Sequence, residues 1–416
     1  MIGGIVVDVP GSKSIANRAL VVAALADGES LLTNVPDGDD TAALVTGLDQ
    51  LGVEVVLDGD RALVRGGGGQ LRPGRGARID ARLAGTTSRF LTAVAAVADV
   101  PVVVDGDAPL RARPMAVLHD ALAALGARII LTEQSGQLPV EVTGPLGGGT
   151  VALAGDVSSQ FITALMLVGP VLDGGVRIEL TTPLVSRPYV ALTASVMGAF
   201  GAEVEVSERT IVVAQGRYRA REFAVEPDAS SASYPMAVAA LRAVPVTVAG
   251  LHPPLAQGDG AIVGLLEAMG CTVTTDERGT TVARHASSPL VGIDVDMADV
   301  SDLVPTVAVV AAAATTPTTV RGVGFIRSKE SDRLGDLAAE LTRTGADIVE
   351  TDDGLHVEPV PAGALHGAHL ATHHDHRLAM AFAVLATAVP GIDLDDPSVV
   401  SKSWPGFWSV WERLRA

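Results

Sequence analysis

The stretch SKSIANRALVVAALA, residues 12–26, decides the fold because its pattern returns five more times along the chain. Each copy is a run of small apolar residues that opens with polar or charged side chains. The six starts are spaced 73, 73, 71, 71 and 74 residues apart. Self-similarity at a nearly fixed period indicates a repeated supersecondary unit. The later copies begin at Gly85, Ser158, Ala229, Val300 and His374.

A second element recurs in phase with the first. It is an amphipathic helix that ends at a glycine and leads into a strand. Glycine is common just after a helix because it tolerates left-handed backbone. A sixth such helix, Trp404–Leu414, is predicted near the end of the chain, with no strands after it. The five copies that continue into strands are LGVEVV from Leu51, LGARII from Leu125, FGAEVEV from Phe200, MGCTV from Met269 and TGADIV from Thr344.

The strand-like run Ile2–Val9 has no helix before it. We therefore expect it to supply what the sixth unit lacks, which would place both chain ends in one domain. Six units then predict two domains of three units each. Residues 1–11 and 229–416 would form the first lobe, and residues 12–228 the second. The first helix of each unit is apolar nearly all round, which predicts burial. Polar helix N-termini facing a common cleft would attract anions.

Composition excludes several classes of protein. The 416 residues carry a formal net charge of -18, which disfavours nucleic acid because phosphate contacts need basic side chains. The longest apolar runs, such as Val304–Ala314, are shorter than the roughly 20 residues that cross a bilayer. One cysteine, Cys271, excludes an intrachain disulfide framework. With no signal-peptide pattern at the N-terminus, we predict a cytoplasmic protein.

The chain contains three lysines, and all lie in dense polar clusters; its other basic residues are arginine. Retained lysine indicates a need for a compact ammonium group. The first cluster resembles a phosphate loop but lacks the Walker spacing, so we reject a P-loop site. The clusters are PGSKSIANR around Lys13, IRSKESDR around Lys329 and SKSWP around Lys402.

Serine and threonine at the other helix starts are open to two interpretations, helix capping or ligand binding. Arg89 and Arg377 lie inside apolar helices, so each needs a carboxylate partner or an anionic ligand. His373, His374 and His376 do not have the spacing of a catalytic zinc site. We therefore expect no metal.

Taken in order, the motifs PGSKSIANRAL, AGTTSRFL, RPM, SSQF, SRPY, SKESDRL and DHRLAMAF make the chain resemble the enolpyruvyl transferases, in the branch whose acceptor is shikimate 3-phosphate. The resemblance implies an α/β fold, a two-domain inverse α/β barrel of six βαβαββ repeats. It also implies a monomer that uses phosphoenolpyruvate and shikimate 3-phosphate, with no cofactor, no nucleic acid and no membrane partner.

The same resemblance implies a role for individual residues. Lys13 and Gln160 would contact both substrates, and Tyr189 would pack on the shikimate ring. Shikimate 3-phosphate would be held by Ser14, Arg18, Ser158, Ser159, Gln160, Ser186 and Lys329. Phosphoenolpyruvate would be surrounded by Gly85, Arg113, Arg333, Arg377 and Lys402.

Asp302 matches the base of the family and Glu330 its proton donor or shuttle, with Lys13 as a third catalytic group. Other roles remain open for both acids, since Asp302 could cap a helix and Glu330 could pair with Arg333. Two positions depart from the family pattern: Leu83 replaces a frequent Asn, and Phe325 replaces a polar residue. We expect Phe325 to remove a shikimate contact. Because Gly85 is retained, we expect glyphosate to inhibit.

Two rival functions remain open. One is the enolpyruvyl transferase that acts on UDP-N-acetylglucosamine, which shares the fold and uses a loop cysteine. Cys271 follows a predicted helix end and precedes a strand, which favours a buried structural role instead. The other rival is a non-catalytic anion-binding protein. It would explain the arginines but not the matched Asp302 and Glu330.

Overall fold

A computed structural model describes residues 4–131 and 136–416. The chain divides into two compact units. Unit 1 is Pro227–Ala416 with the N-terminal segment up to Pro10, and unit 2 is Gly11–Glu226. These boundaries lie one residue and two residues before those we placed from the repeats. Ile2 and Gly3 of the predicted N-terminal strand lie outside the described residues.

Helices and strands alternate along both units. In chain order the strands are β1 (Ile5–Val7), β2 (Asp27–Thr33), β3 (Glu54–Asp58), β4 (Arg61–Gly67), β5 (Arg78–Asp80), β6 (Val102–Asp105), β7 (Arg128–Leu131), β8 (Val140–Thr143), β9 (Gly149–Leu153), β10 (Val176–Leu180), β11 (Val204–Val206), β12 (Thr210–Val213), β13 (Glu222–Ala224), β14 (Val246–Ala249), β15 (Thr272–Asp276), β16 (Gly279–Ala283), β17 (Asp294–Asp296), β18 (Thr318–Arg321), β19 (Asp347–Glu350), β20 (Leu355–Glu358), β21 (His369–Leu370) and β22 (Asp393–Leu394). The α-helices are α1 (Lys13–Leu25), α2 (Asp39–Gln50), α3 (Gly85–Ala95), α4 (Ala108–Arg111), α5 (Ala116–Ala124), α6 (Ser159–Val168), α7 (Arg187–Ala199), α8 (Ala229–Arg242), α9 (Ile262–Ala268), α10 (Val304–Ala311), α11 (Gly335–Thr342), α12 (His376–Ala386) and α13 (Phe407–Arg415).

The small apolar helices form the core of each unit, as the sequence predicts. In unit 2, α1, α3 and α6 pack against one another, and in unit 1, α8, α10 and α12 do the same. Their side chains are buried almost throughout, and in α1 every residue from Ile15 to Leu25 is buried. Alanine and valine allow close helix packing. Truncating a core residue such as Leu20 is therefore expected to cost about 2–5 kcal/mol.

In the first five repeats, the second helix is followed within three residues by a glycine with left-handed backbone, which confirms that prediction. These glycines have φ between +80° and +99°, a region that side chains with a Cβ rarely adopt. Each one ends its helix and turns the chain toward the next strand. They are Gly52, Gly126, Gly201, Gly270 and Gly345.

Each complete repeat contributes a four-stranded sheet with one parallel pair and two antiparallel pairs. Unit 2 contains the sheets β13-β2-β4-β3, β5-β6-β8-β7 and β9-β10-β12-β11. Unit 1 contains β1-β14-β16-β15 and β17-β18-β20-β19. Among the described residues, the last repeat has only the two-stranded sheet β21-β22.

The N-terminal strand does not complete the sixth repeat, so that prediction was wrong. β1 pairs in parallel with β14 in the sheet of the fourth repeat, with Ile5 opposite Val246. β13, which precedes α8 in the chain, instead pairs with β2, with Glu222 opposite Leu31. At each crossing between units, the strand and the helix that follows it thus belong to different units. β1 fills the place that β13 would otherwise take beside β14.

β1, near the N-terminus, and α13, near the C-terminus, both belong to unit 1. Arg413 on α13 donates from Nη2 to the backbone oxygen of Val6 at 2.5 Å. α13 begins at Phe407 rather than at the predicted Trp404. Pro405 disfavours helical backbone at the residue before it, which explains the later start. Among the described residues, no helix has the length and apolar character to cross a membrane.

Candidate active site

A cluster of charged side chains in unit 1 brings together six of the residues that the sequence singled out. We call it the unit 1 cluster. Its members come from turns at the starts of helices and between them. Asp302 lies in a 3-10 turn before α10, and Lys329 to Arg333 precede α11. Asp375 is the N-cap of α12. The members are Asp302, Lys329, Glu330, Arg333, Asp375, Arg377 and Lys402.

Arg333 is the hub of this cluster. Its side chain is only 1% exposed, yet it contacts three carboxylates. Nη1 donates to Asp302 Oδ1 at 2.9 Å, Nη2 to Glu330 Oε2 at 2.8 Å, and Nε to Asp375 Oδ2 at 2.6 Å. Burial alone would lower the pKa of Arg333, but the charges of these three carboxylates raise it above its ordinary value. The positive charge of Arg333 is therefore balanced by carboxylates of the protein itself.

Asp302 is shared by several cations. Its Oδ2 accepts from Arg377 Nη2 at 2.7 Å, and Lys329 Nζ lies 3.8 Å from its Oδ1. Burial raises the pKa of Asp302, but Arg377, Lys329 and Arg333 together lower it well below its ordinary value. Asp302 is thus ionised, and these three cations stabilise its negative charge. Asp302 is not the N-cap residue of α10, because Leu303 occupies that position.

The two lysines of unit 1 complete the cluster. Burial lowers the pKa of Lys329, an effect that Asp302 partly opposes. Lys402 is buried, and its Nζ lies 3.8 Å from Glu330 Oε1. Lys329 Nζ also lies 5.8 Å from the centroid of the Phe325 ring, within the range of a cation–π contact. Phe325, one of the two residues that depart from the family pattern, thus contacts Lys329, a predicted substrate residue.

A second group of residues lies around the N-terminal ends of α1, α3, α6 and α7, and we call it the unit 2 cluster. Its residues include Arg18, Gly85, Ser158, Ser159, Gln160 and Ser186. Arg18 on α1 is 3% exposed and donates to hydroxyl and carbonyl oxygens. Its Nε bonds Thr193 Oγ1 at 2.8 Å, and its Nη1 bonds the backbone oxygen of Ser14 at 2.7 Å. The rings of Phe90 and Tyr189 lie 5.5 Å and 5.8 Å from its guanidinium.

None of the groups that the described residues place against Arg18 is a carboxylate. Burial lowers the pKa of Arg18 to about 10, and Tyr189 opposes this only in part. This is the reverse of the situation of Arg333. A buried guanidinium without a carboxylate is costly, so Arg18 is suited to an anion supplied from outside the protein.

Glycine at position 85 lets two guanidinium groups approach the backbone at the start of α3. A Cβ built on Gly85 would lie 2.3 Å from Arg89 Nη1 and 3.0 Å from Arg113 Nη1. Two guanidinium groups therefore converge on the backbone at this helix N-terminus, where N–H groups and the helix dipole also favour negative charge. Arg89 additionally lies 5.4 Å from the ring centroid of Phe161.

The remaining predicted residues of unit 2 lie at helix starts. Ser158 caps α6 by accepting from the backbone N–H of Gln160 at 3.3 Å. Gln160 Nε2 donates to Thr86 Oγ1 at 3.4 Å, and Ser159 is buried. Ser186 precedes α7 with φ +54° and makes no side-chain cap bond. Such left-handed backbone at a non-glycine residue is uncommon and often marks functional sites.

Some partners in these clusters were missed by sequence analysis. Lys13 Nζ bonds Asp40 Oδ2 at 2.9 Å, and Asp40 is buried at the start of α2. Two adjacent acids at that helix start were the only signal, and such acids are also common helix caps. Asp375 was not singled out by the sequence, because it lies among the histidines of residues 373–376. Neither pairing has a local pattern, because the partners lie far apart in the chain.

Asp259 is a further acid that the sequence did not single out. It is 4% exposed and accepts a hydrogen bond from Ser230 Oγ at the start of α8. Burial, followed by the negative charge of Asp302, raises the pKa of Asp259 to about 6. Asp259 is therefore a carboxyl group that holds its proton at pH values where an ordinary Asp is ionised.

The three histidines around the start of α12 lie in separate environments. His373 contacts carboxylates of α11, His374 is exposed, and His376 is buried beside Asp375. In the ranges 4–131 and 136–416, no group of three or more His, Cys, Asp or Glu side chains is arranged to hold a metal ion. Cys271 is buried, which raises its pKa to about 11. This agrees with the expected structural role of Cys271.

Comparisons with known proteins give a consistent result. Residues 2–411 match the family described as EPSP synthase (3-phosphoshikimate 1-carboxyvinyltransferase). A protein named 3-phosphoshikimate 1-carboxyvinyltransferase from Methanospirillum hungatei is 39% identical over 97% of this chain and 94% of its own length. One of the same name from Methanoculleus marisnigri is 41% identical over 96% of this chain and 94% of its own.

A solved structure has the same fold. The EPSP synthase from Acinetobacter baumannii matches with a TM-score of 0.83 and 26% identity, covering 99% of this chain and 96% of that one. The expected α/β fold of the enolpyruvyl transferases is thereby confirmed.

Proposed function

The chain belongs to the EPSP synthase family, the 3-phosphoshikimate 1-carboxyvinyltransferases, and we propose that its unit 1 and unit 2 clusters carry the reaction of that family. The enzyme transfers the enolpyruvyl group of phosphoenolpyruvate to the 5-hydroxyl of shikimate 3-phosphate. The products are 5-enolpyruvylshikimate 3-phosphate and inorganic phosphate. This is a step of the shikimate pathway, which leads to the aromatic amino acids.

In this proposal the unit 2 cluster holds most of shikimate 3-phosphate. The supporting observation is Arg18, a buried guanidinium whose contacts among the described residues include no carboxylate. A bound phosphate or carboxylate would provide the missing negative charge. The ring of Tyr189, already beside Arg18, offers an apolar face to the cyclohexene ring. The other proposed contacts are Lys13, Ser14, Ser158, Ser159, Gln160, Ser186 and Lys329.

Phosphoenolpyruvate carries a phosphate and a carboxylate, so it needs several cations. The proposed ligands are Gly85, Arg113, Arg333, Arg377 and Lys402, with Lys13 and Gln160 contacting both substrates. The absence of a side chain at Gly85 lets the guanidinium groups of Arg89 and Arg113 approach the start of α3, where they would bind an anion. Arg377 is already engaged by Asp302, so binding of phosphoenolpyruvate would compete with that carboxylate.

This competition gives Asp302 a mechanism as a base. While Arg333 and Arg377 bond Asp302, its pKa is too low for it to accept a proton readily. An anionic substrate that draws positive charge from Arg377 would raise the basicity of Asp302. Asp302 would then remove the proton of the 5-hydroxyl as that oxygen attacks the central carbon of phosphoenolpyruvate.

Glu330 is the proposed proton donor to the vinyl carbon, with Lys13 as a further catalytic cation. Protonation of the CH₂ carbon and addition of the hydroxyl oxygen give a tetrahedral intermediate. Loss of a proton from the new methyl group and departure of phosphate then restore the double bond. Lys402, 3.8 Å from Glu330, is placed to stabilise the negative charge of Glu330 between the two proton transfers.

The observation that carries this proposal is the joint contact of Asp302 and Glu330 with Arg333, because it places a candidate base and a candidate acid on one buried cation. The test is phosphate release from phosphoenolpyruvate in the presence of EDTA, with shikimate 3-phosphate or UDP-N-acetylglucosamine as acceptor. We expect release only with shikimate 3-phosphate. Release only with the nucleotide sugar would overturn the acceptor, and release with neither would favour an anion-binding protein.

We also propose that the enzyme acts as a cytoplasmic monomer. The large apolar side chains that are most exposed among the described residues are dispersed over separate sheets, for example Leu57 on β3 and Val349 on β19. The single cysteine is consistent with a reducing compartment. Sedimentation at micromolar concentration is expected to give the mass of one chain, and a dimer mass would contradict this.

A further inference from the structure

Residues 371–375 form the turn before α12. This turn makes contacts at two places, one with the residues just before α11 and one with α11 itself. We call it the α12 turn. At its end, Asp375 accepts from Arg333 at 2.6 Å, a contact within the unit 1 cluster. Two residues earlier, His373 makes a second contact. Its Nε2 lies 3.2 Å from Glu340 Oε1, and its Nδ1 lies 3.4 Å from Asp336 Oδ1.

Glu340 binds this turn at two of its residues. The carboxylate is buried, and its Oε2 accepts from the backbone N–H of Ala371 at 3.0 Å while its Oε1 faces His373. The next backbone N–H, that of Thr372, donates to Asp395 at 2.8 Å. The turn is therefore fixed along most of its length by side-chain acceptors from other segments.

The backbone of the turn needs such support. His373 has φ +52° and the following His374 has φ +56°. Two successive non-glycine residues in the left-handed region are sterically unfavourable and persist only where surrounding contacts impose them. The side chain of His374 is exposed, whereas that of His373 is bracketed by two carboxylates. Of these two histidines, His373 is thus the one placed to hold the conformation.

The end of the turn determines where two cations lie. Asp375 Oδ1 accepts from the backbone N–H of Arg377 at 2.9 Å and so begins α12, while Oδ2 binds Arg333. A shift of the turn would move Asp375. Arg333 would then lose one of its three carboxylates, and Arg377 would lose the cap that sets the start of its helix.

We propose that His373 is a positioning residue for phosphoenolpyruvate binding. By bridging Asp336 and Glu340 it holds the α12 turn in the conformation that places Asp375, and through Asp375 it orients Arg333 and Arg377. This inference rests on the proposed function, in which both arginines bind phosphoenolpyruvate. His373 itself contacts no substrate in this proposal.

The experiment compares His373→Gly with His374→Gly in the full chain. Both changes permit left-handed backbone, but only the first removes the contacts with α11. Loss of an ionic hydrogen bond is expected to raise KM for phosphoenolpyruvate about tenfold in His373→Gly. KM for shikimate 3-phosphate is expected to change less than about twofold, as are both KM values in His374→Gly. A general loss of folding would affect both substrates.

Two further variants keep the result interpretable. His373→Asn tolerates left-handed backbone without the imidazole ring, and it is expected to show the same selective rise in KM for phosphoenolpyruvate if His373→Gly does not fold.

Arg377→Gln tests the proposed function itself. If Arg377→Gln raises KM for phosphoenolpyruvate but neither His373 variant does, the positioning role is wrong. If Arg377→Gln leaves that KM unchanged, the proposed ligand set fails and this inference fails with it. An equal effect of His374→Gly would assign the change to backbone strain and would also overturn the proposal.

Discussion

Arg333 donates to Asp302 at 2.9 Å from a guanidinium that is almost completely buried. The same guanidinium also binds Glu330 and Asp375, so one buried cation is shared by the three carboxylates of the unit 1 cluster. Because buried charges depend on their partners, this arrangement predicts large and residue-specific effects of mutation.

Asp302→Asn is expected to lower kcat by about 10²–10⁴-fold, the usual contribution of a general base. Binding of shikimate 3-phosphate should persist, because the amide retains the shape of the carboxylate. Phosphate release and equilibrium binding measure the two properties separately. Asp347→Asn, an exposed position on β19, is the control. Turnover close to that of the unchanged enzyme would remove Asp302 from the mechanism.

Arg333→Met is expected to destabilise unit 1 by about 3–5 kcal/mol, because it leaves three carboxylates close together without their shared cation. Denaturant unfolding followed by fluorescence measures this, since all three tryptophans lie in unit 1. A change below about 1 kcal/mol would mean that the carboxylates are already neutral or solvated.

Arg18→Met is expected to have the opposite effect on stability. Replacing a buried guanidinium that lacks a carboxylate by an apolar side chain of similar length is often neutral or stabilising by about 1–4 kcal/mol. KM for shikimate 3-phosphate should nevertheless rise at least about a hundredfold, since two or more charged hydrogen bonds are lost. Added shikimate 3-phosphate should raise the melting temperature of the unchanged protein but not that of the variant. A strongly destabilised Arg18→Met protein would show that Arg18 has a structural role instead.

Gly85→Ala is expected to reduce the affinity for phosphoenolpyruvate and for glyphosate. The new Cβ would displace the ends of Arg89 and Arg113, which are flexible, so the free energy of unfolding should change by less than about 1 kcal/mol. Inhibition by glyphosate is expected in the unchanged enzyme and should weaken at least about tenfold in the variant. Gly198→Ala on α7 is a matched control, since its Cβ would meet no atom within 4 Å. Equal inhibition of both variants would argue against an anion site at Gly85.

Asp259 predicts a pH dependence of stability. Burial raises its pKa from 3.8 to about 6 in the folded protein. Between these pH values the folded protein keeps a proton that the unfolded chain has lost, so the free energy of unfolding falls as pH rises through this window. Above about pH 6 the ionised carboxylate disfavours folding by about 2–3 kcal/mol.

Asp259→Asn removes this titration and can still accept from Ser230. The variant should therefore be more stable than the unchanged protein at pH 8, with a smaller difference at pH 4. Urea unfolding at both pH values measures this. A difference that is the same at pH 4 and pH 8 would contradict the prediction.

Much of the fold could be read from local patterns. The helix runs beginning near Ser12, Gly85 and Ser158 gave starts within one residue of α1, α3 and α6, because burial of a small apolar helix leaves a continuous signal. The glycine ends of the second helices were equally clear, since left-handed backbone strongly favours glycine. The polar starts of the core helices likewise marked where most of the proposed substrate contacts lie.

Local patterns did not predict which strands pair or which side chains contact each other. The strand Ile5–Val7 was assigned to the wrong repeat because a parallel strand pair has no local signature, and its true partner begins at Val246. Arg18 forms a hydrogen bond with Thr193, which is 175 residues away in the sequence, and His373 contacts Glu340, which is 33 residues before it. No short-range pattern encodes such distances.

By itself, the sequence determined the sixfold repeat and the family, because these depend on periodicity and on motifs that are contiguous in the chain. Tertiary structure alone decided which charges are paired. It gives Arg333 three carboxylates and Arg18 none among the described residues, although both are arginines in polar motifs. The physical reason is that the free energy of a buried charge depends on the groups that packing brings within a few ångströms, and these come from distant parts of the chain.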